Sequence, residues 1–283
     1  MRMKTKLLAL AATLAIATSA QAHRQWLLPA GTILSGTDEW VTIDAAVSND
    51  LFYADHAAMR LDGIKVWKPD GTEGQIENGA TGRHRSVFDV HLDQQGTWKI
   101  GTTQAGISGT FKVDGVEWRL GGRRGPPPGP GAQAPANMVN SVEEIPANAT
   151  DVQLTEMSGQ NAVFVTLGEP TQTVFQSTGK GLEMVPVTHP DELVQGETAQ
   201  FKFLVDGQPA ADLPITIVPG GKRYRDDEGA FEVRTGADGV ASIDWPSAGM
   251  VWLNASLSDN KPSNPRATAR RMSFTTTVEV MTP

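Results

Sequence analysis

The residue whose type and position best suit metal chemistry is His23. The chain has five His and no Cys, which excludes disulfides, thiolate metal sites and a cysteine nucleophile. His23 directly follows Ala20-Gln21-Ala22, the small-x-small pattern after which signal peptidases cut. Cleavage there would make His23 the first residue of the mature protein. Its α-amine and its imidazole Nδ1 could then close a chelate ring around one metal ion.

The free α-amine at residue 23 has an ordinary pKa of about 7.7–8.0, so it gives up its proton to a metal at little cost near neutral pH. One further imidazole would complete a set of three nitrogen ligands. Such a set suits Cu(II) or Ni(II) better than Mg²⁺ or Ca²⁺. The sequence therefore predicts a transition metal ion such as nickel or copper as the cofactor.

His56 is the first candidate for the second imidazole. It lies in a polar and aromatic loop directly after a strong strand pattern, where functional side chains are often presented by a rigid scaffold. Asp55 beside it could also ligate. The alternative is that His56 is an ordinary solvated loop residue.

His189 is the second candidate, because it lies at the edge of the C-terminal half and could close a site between domains. The alternative is a plain turn residue restricted by Pro190. His91 lies on the strand face opposite to apolar neighbours, which predicts an outward-facing residue. His84 ranks last because the charges of Arg83 and Arg85 on either side of it would repel a cation.

The first 22 residues have the features of a cleaved secretory signal. Arg2, Lys4 and Lys6 precede an uncharged apolar run, residues 7–18, which is too short to span a bilayer. No second apolar stretch of membrane length follows. We therefore expect a periplasmic protein that is not embedded in the membrane. The net charge of −8 argues against a nucleic-acid binder, which would need a basic face.

The elements that must position these residues are strands. Short runs of alternating polar and apolar residues, broken by Gly, Pro, Asn and Asp, predict an all-β fold with two β-sandwich domains. Seven candidate strands in the C-terminal part indicate an immunoglobulin-like sandwich. The predicted division is signal peptide 1–22, N-terminal domain 23–118, Pro/Gly-rich linker or long loop 119–150, strands completing the N-terminal domain 151–180, and C-terminal domain 181–283.

Four segments of the chain carry a family resemblance: His23-Arg24-Gln25-Trp26-Leu27-Leu28-Pro29, Gly181-Leu182-Glu183, Gly220-Gly221-Lys222-Arg223-Tyr224-Arg225 and Gly249-Met250-Val251-Trp252-Leu253. With these segments the chain resembles an exported family of unknown function grouped with periplasmic components of nickel and cobalt uptake. The resemblance covers nearly the whole mature chain and is weak in the Pro-rich middle. It implies a periplasmic β-sandwich protein tied to transition-metal uptake, with His23 as a ligand.

The charged segment Lys222–Glu228 places three cations beside three anions. A docking patch or a hard-cation site is one interpretation. We favour a solvated hairpin loop whose charges pair with one another. Exposed ion pairs of this kind contribute little to stability, and the EF-hand spacing that a calcium site would need is absent.

Two functions remain open, with one variant. The first is a periplasmic protein that binds nickel, cobalt or copper through His23 and passes it to a membrane transporter or outer-membrane receptor. The second is a metal-free envelope interaction module that docks to such a receptor or to a polysaccharide. The variant is a copper-dependent oxidative enzyme that uses the same N-terminal chelate. Because the common catalytic motifs are absent, we expect no enzymatic activity.

Overall fold

A computed structural model describes residues 23–121 and 137–283. The predicted signal peptide and residues 122–136 of the Pro/Gly-rich segment lie outside the described residues. The strands of the first part are β1 (Arg24–Pro29), β2 (Ile33–Leu34), β3 (Glu39–Ser48), β4 (Ala57–Ala58), β5 (Ile64–Trp67), β6 (Glu73–Gly74), β7 (Glu77–Thr81), β8 (Arg85–Leu92), β9 (Gly96–Val113), β10 (Val116–Leu120), β11 (Met138–Val139) and β12 (Thr150–Leu167).

The second part continues the same pattern of strands joined by tight turns. Its strands are β13 (Leu182–Pro186), β14 (Leu193–Val194), β15 (Thr198–Val205), β16 (Gln208–Pro209), β17 (Pro214–Pro219), β18 (Phe231–Arg234), β19 (Val240–Asp244), β20 (Gly249–Asp259) and β21 (Ala269–Met281). The described helical elements are short 3₁₀ turns at Leu61–Gly63, Thr173–Phe175 and Lys222–Tyr224. The all-β prediction is confirmed.

The strands form three sheets. A central sheet of twelve strands has the main order β11-β10-β9-β12-β21-β20-β17-β18. The N-terminal sheet is built on β1-β3-β8-β7, and the C-terminal sheet on β13-β15-β16 with β19. Strand β12 runs antiparallel to β9 and parallel to β21, so the two halves of the chain share the central sheet.

The outer sheets pack on opposite faces of the central sheet, which produces two sandwiches. Alternation along β12 makes this possible, because successive side chains of a strand point to opposite faces. Val163 and Val165 lie in the core beneath the N-terminal sheet. Ala162 and Phe164 lie in the core beneath the C-terminal sheet. The predicted pair of sandwiches is confirmed, and both are built on one shared layer.

A smaller apolar cluster connects the start of β1 to the C-terminal half. Trp26 and Leu51 pack there with Val218 and Trp252. The indole N–H of Trp252 also donates to the carbonyl oxygen of Gln25 at 3.1 Å. The first described residues are therefore fixed against the central sheet.

Candidate functional site

The position of His23 is set by the pairing of β1 with β3. Arg24 lies opposite Ser48 at the end of β3, so His23 is placed beside the loop of residues 49–56 that follows. The buried indole of Trp26 donates to Ser48 Oγ at 2.7 Å, and Ser48 Oγ donates to the carbonyl oxygen of Asp50 at 2.6 Å. Strand pairing and these two hydrogen bonds hold the loop next to His23.

The imidazoles of His23 and His56 are stacked. Their ring centroids are 3.6 Å apart and their planes differ by 10°. Both residues are exposed. The structure thus brings together His23 and the residue that sequence reasoning ranked first as its partner.

His84 also reaches this loop. Its Nδ1 lies 3.0 Å from the carbonyl oxygen of His56, so a proton on Nδ1 would be donated to that carbonyl. The sequence ranks His84 last because Arg83 and Arg85 place positive charges on either side of it. One of those charges is compensated, since Arg85 pairs with Asp44 at 2.9 Å.

Asp55 bonds to the start of its own loop. Its Oδ1 accepts the backbone N–H of Asn49 at 2.9 Å, and its Oδ2 accepts the Asn49 side-chain amide at 3.2 Å. Burial raises the pKa of Asp55, but these hydrogen bonds outweigh it and the net pKa is lowered. The carboxylate therefore stays negative beside His56 and closes the loop on itself.

The backbone of this loop is constrained at Phe52. Phe52 has φ of 60°, a left-handed conformation that costs energy for a bulky residue. Its ring packs edge-on against Trp26, with centroids 5.7 Å apart. A Cβ at Gly220 would lie 3.0 Å from the Phe52 ring, so only glycine allows this close approach.

Residues 220–229, which we call the clasp loop, hold the same region from the C-terminal half. Lys222 Nζ donates to Asp50 Oδ1 at 2.6 Å. The Glu228 carboxylate accepts hydrogen bonds from both terminal guanidinium nitrogens of Arg24, and the bond from Nη2 to Oε2 is 3.1 Å long. The prediction of a self-paired loop is therefore wrong, because two of its charges pair with residues beside His23 and His56.

Two further contacts define the clasp loop. The guanidinium of Arg223 lies 3.8 Å from the centre of the Tyr53 ring, a cation–π contact. Arg225 donates to the carbonyl oxygens of Pro219, Gly220 and Glu228. These internal bonds shape the loop, while its other charges attach it to the N-terminal half.

His189 lies elsewhere, in a buried polar cluster. Its Nε2 is 3.0 Å from Thr97 Oγ1, and its Nδ1 accepts the backbone N–H of Asp191 at 3.2 Å. Burial lowers the pKa of His189. No described contact joins it to His23 or His56, so the structure does not gather it with them.

Asp191 is the second titratable group of that buried cluster. Thr166 Oγ1 donates to Asp191 Oδ2 at 2.6 Å. Burial raises the pKa of Asp191 to about 8. At neutral pH the cluster therefore contains a protonated carboxyl group and a neutral imidazole.

His91 lies at the surface of the N-terminal sheet. Its ring stacks on Trp40, with centroids 4.5 Å apart, and its Nε2 lies 2.8 Å from Asp38 Oδ1. The hydrogen bond to Asp38 raises the pKa of His91.

Within residues 23–121 and 137–283, no three side chains of the metal-ligating types converge closely enough to hold an ion. The His23 and His56 imidazoles could supply two nitrogens. A third would come from the α-amine that cleavage after Ala22 releases on His23 itself. That amine belongs to the backbone and is not among those side chains.

The fold and the site define an all-β, double-sandwich protein with a histidine pair at its predicted mature N-terminus. A family model described as a domain of unknown function, DUF4198, matches residues 20–259. The chain belongs to that family. No curated protein matches it. Among the described residues, no helix is long and apolar enough to cross a bilayer.

Several solved structures are similar to the chain at a distance. The D0-D1 domain of intimin is 11% identical, with 90% of this chain and 97% of that chain covered and a TM-score of 0.21. Trypsin-activated α-2-macroglobulin from Escherichia coli is 13% identical over 90% of this chain and 16% of that chain, with a TM-score of 0.23. A marsupial T cell receptor is 9% identical over 92% and 74%, with a TM-score of 0.20.

Proposed function

We propose that the chain is an exported, periplasmic protein that binds one nickel, cobalt or copper ion at its mature N-terminus. The ligands are the α-amine and imidazole of His23 and the imidazole of His56. The observation that carries the proposal is the closeness of these two exposed imidazoles, whose centroids are 3.6 Å apart, so that rotation of either ring about its side-chain torsions would let both reach one ion. Nothing in local sequence requires residues so far apart in the chain to meet at this point.

The surroundings of the pair support this chemistry. The residues around a metal-binding histidine commonly hold it in position, and the contact of His84 Nδ1 with the His56 carbonyl oxygen holds the backbone that carries one of the imidazoles. The carboxylate of Asp55 adds a negative charge next in sequence to His56, which favours a cation. When bound, the ion is the cargo that the site would capture and release.

The cations near the site do not argue against binding. Arg24 is paired with Glu228, and Lys222 is paired with Asp50. Each pair cancels most of its field a few ångströms away. The clasp loop therefore supplies rigidity without leaving these two positive charges uncompensated.

The proposed role is binding and delivery without catalysis. An ion held by three nitrogens at an exposed chain terminus can be handed to another protein without unfolding of either sandwich. The partner in this role is a membrane transporter or an outer-membrane receptor for the metal.

A titration of the mature protein with Ni²⁺ and Cu²⁺, followed by calorimetry, tests the role of His56. His56→Ala should sharply weaken binding. His91→Ala is the matched control, because it removes a surface imidazole from the same half of the chain, and it should bind like the parent. Equal affinities for the two variants would contradict the proposed ligand set.

A further inference from the structure

The face of the central sheet that packs against the N-terminal sheet is open at its middle, where it forms a polar cavity. The cavity has a volume of about 330 Å³, within the range of small-molecule sites. Its lining includes Gln104, Gly106, Gly159, Asn254, Ser273 and Arg271. The glycines leave a shallow floor between the longer polar side chains.

A second cavity of about 40 Å³ shares Gln104, Gly159 and Ser273 with the first and extends it toward β1. It is lined there by Gln25, whose side-chain oxygen accepts a hydrogen bond from Gln104 at 3.1 Å. The two cavities therefore form one continuous polar groove along the face of β9, β12 and β21.

The inner end of the groove contains buried polar groups that have no hydrogen-bond partner among the described residues. Asn161 is 5% exposed and Thr102 is 9% exposed, and they lie opposite each other in the β9–β12 register. Both side-chain atoms of Asn161 and the hydroxyl of Thr102 are unpaired. Leaving such groups unpaired is costly, which indicates that something other than the protein satisfies them.

We propose that this groove binds a small polyhydroxylated carboxylate, with its hydroxyl groups at Asn161 and Thr102 and its carboxylate at Arg271. Amide and hydroxyl side chains both donate and accept, as sugar-like hydroxyl groups do. The guanidinium of Arg271 is exposed, forms no ion pair with another described residue, and has the fork geometry that a carboxylate matches.

A larger cavity of about 520 Å³, which shares Gln104, Gly159 and Ser273 with the groove, is a weaker candidate. Its Arg270 already pairs with Asp206 and Asp259, each at 2.7 Å. Its Glu156 already accepts hydrogen bonds from Ser263 and Asn264. The strongest polar groups there are satisfied by the protein, in contrast to Asn161.

The test is calorimetric titration of the metal-free full-length mature protein with gluconate, and with sorbitol as the equivalent that lacks a carboxylate. Asn161→Leu keeps the size of the side chain and removes its hydrogen bonds. Gly106→Leu extends a side chain from a position where a Cβ meets nothing within 4 Å. Gly63→Leu is the matched control, because its Cβ also meets nothing but lies outside the groove.

Gluconate should bind, and sorbitol should bind about tenfold more weakly, which is the loss expected for one charge-assisted hydrogen bond. Asn161→Leu and Gly106→Leu should each weaken gluconate binding by about tenfold or more. Gly63→Leu and His23→Ala should not change it. Asn161→Leu should also leave the melting temperature unchanged or raised, because it removes unpaired buried groups, and this separates lost binding from lost folding.

The proposal is overturned if the parent protein does not bind gluconate, which would leave ordered water as the partner of Asn161. It is also overturned if sorbitol binds as well as gluconate, or if neither groove variant weakens binding. Because His23→Ala is included, failure here is distinct from failure of the metal site.

Discussion

Replacing Asp191 with Asn should abolish a specific pH dependence of stability. Asp191 is buried, and burial raises its pKa to about 8 from an ordinary value of 3.8. When folding raises the pKa of a carboxyl group, the group contributes its full stabilisation at pH values below its pKa in the unfolded chain. That contribution is lost as the pH rises from about 3.8 through about 8.

The useful window is pH 6.5 to 8, because His189 then contributes little. Burial lowers the pKa of His189 below its ordinary 6.5, so its contribution is present above pH 6.5 and is lost only as the pH falls below that value. In this pH window, Asp191 makes the free energy of unfolding fall by up to about 1.4 kcal/mol per pH unit, and the fall becomes smaller near the pKa of Asp191. The parent protein should therefore lose about 1.5 kcal/mol of unfolding free energy relative to Asp191→Asn.

The assay is urea unfolding of the mature protein and of Asp191→Asn at several pH values between 6.5 and 8. Asn can still accept the hydroxyl hydrogen of Thr166, so the variant keeps that hydrogen bond. Asp226→Asn, at an exposed position of the clasp loop, is the control and should follow the parent. If the unfolding free energies of the parent and of Asp191→Asn change equally with pH, the reasoning is refuted.

The remaining predictions concern the region around the histidine pair. Gly220→Val should lower the unfolding free energy by about 1–3 kcal/mol in urea unfolding, because its Cβ would press on the Phe52 ring and on the backbone; an unchanged value would contradict that packing. Lys222→Met should change the melting temperature only slightly, since the Lys222–Asp50 pair is partly exposed and ion pairs near the surface contribute about 1 kcal/mol or less to stability. It should weaken nickel binding because loop 49–56 loses its bond through Asp50. Unaltered nickel affinity in calorimetry would show that the clasp loop does not position the site. His84→Phe should weaken nickel binding less than His56→Ala; the reverse order would make His84 the ligand.

Much of the fold could be predicted from local pattern. Phe201 and Phe203 alternate with polar residues in the sequence, a pattern that predicts a strand with one buried face, and β15 buries both rings. The shared central sheet could not be predicted, because it depends on β12 running parallel to β21, a pairing between distant segments. No local periodicity specifies which distant strand supplies the next hydrogen-bonded neighbour.

In the candidate site, too, local sequence predicts some features, whereas contacts between distant residues determine others. His23 and His56 could be selected from the cleavage pattern and from the loop after β3. The contact of His84 with this loop could not be predicted, since His84 and His56 are 28 positions apart in the chain. The contact of the clasp loop with this region could not be predicted either, because Lys222 and Asp50 are 172 positions apart in the chain.

The central claim is that the α-amine of His23 is a metal ligand. Nickel titration of two mature forms tests it most directly: one beginning at His23, and one with a single Ala added before His23. The added residue converts the amine to an amide and leaves every side chain unchanged. We predict that the first form binds one nickel ion per chain and that the second loses this binding. Equal affinity of the two forms would contradict the claim.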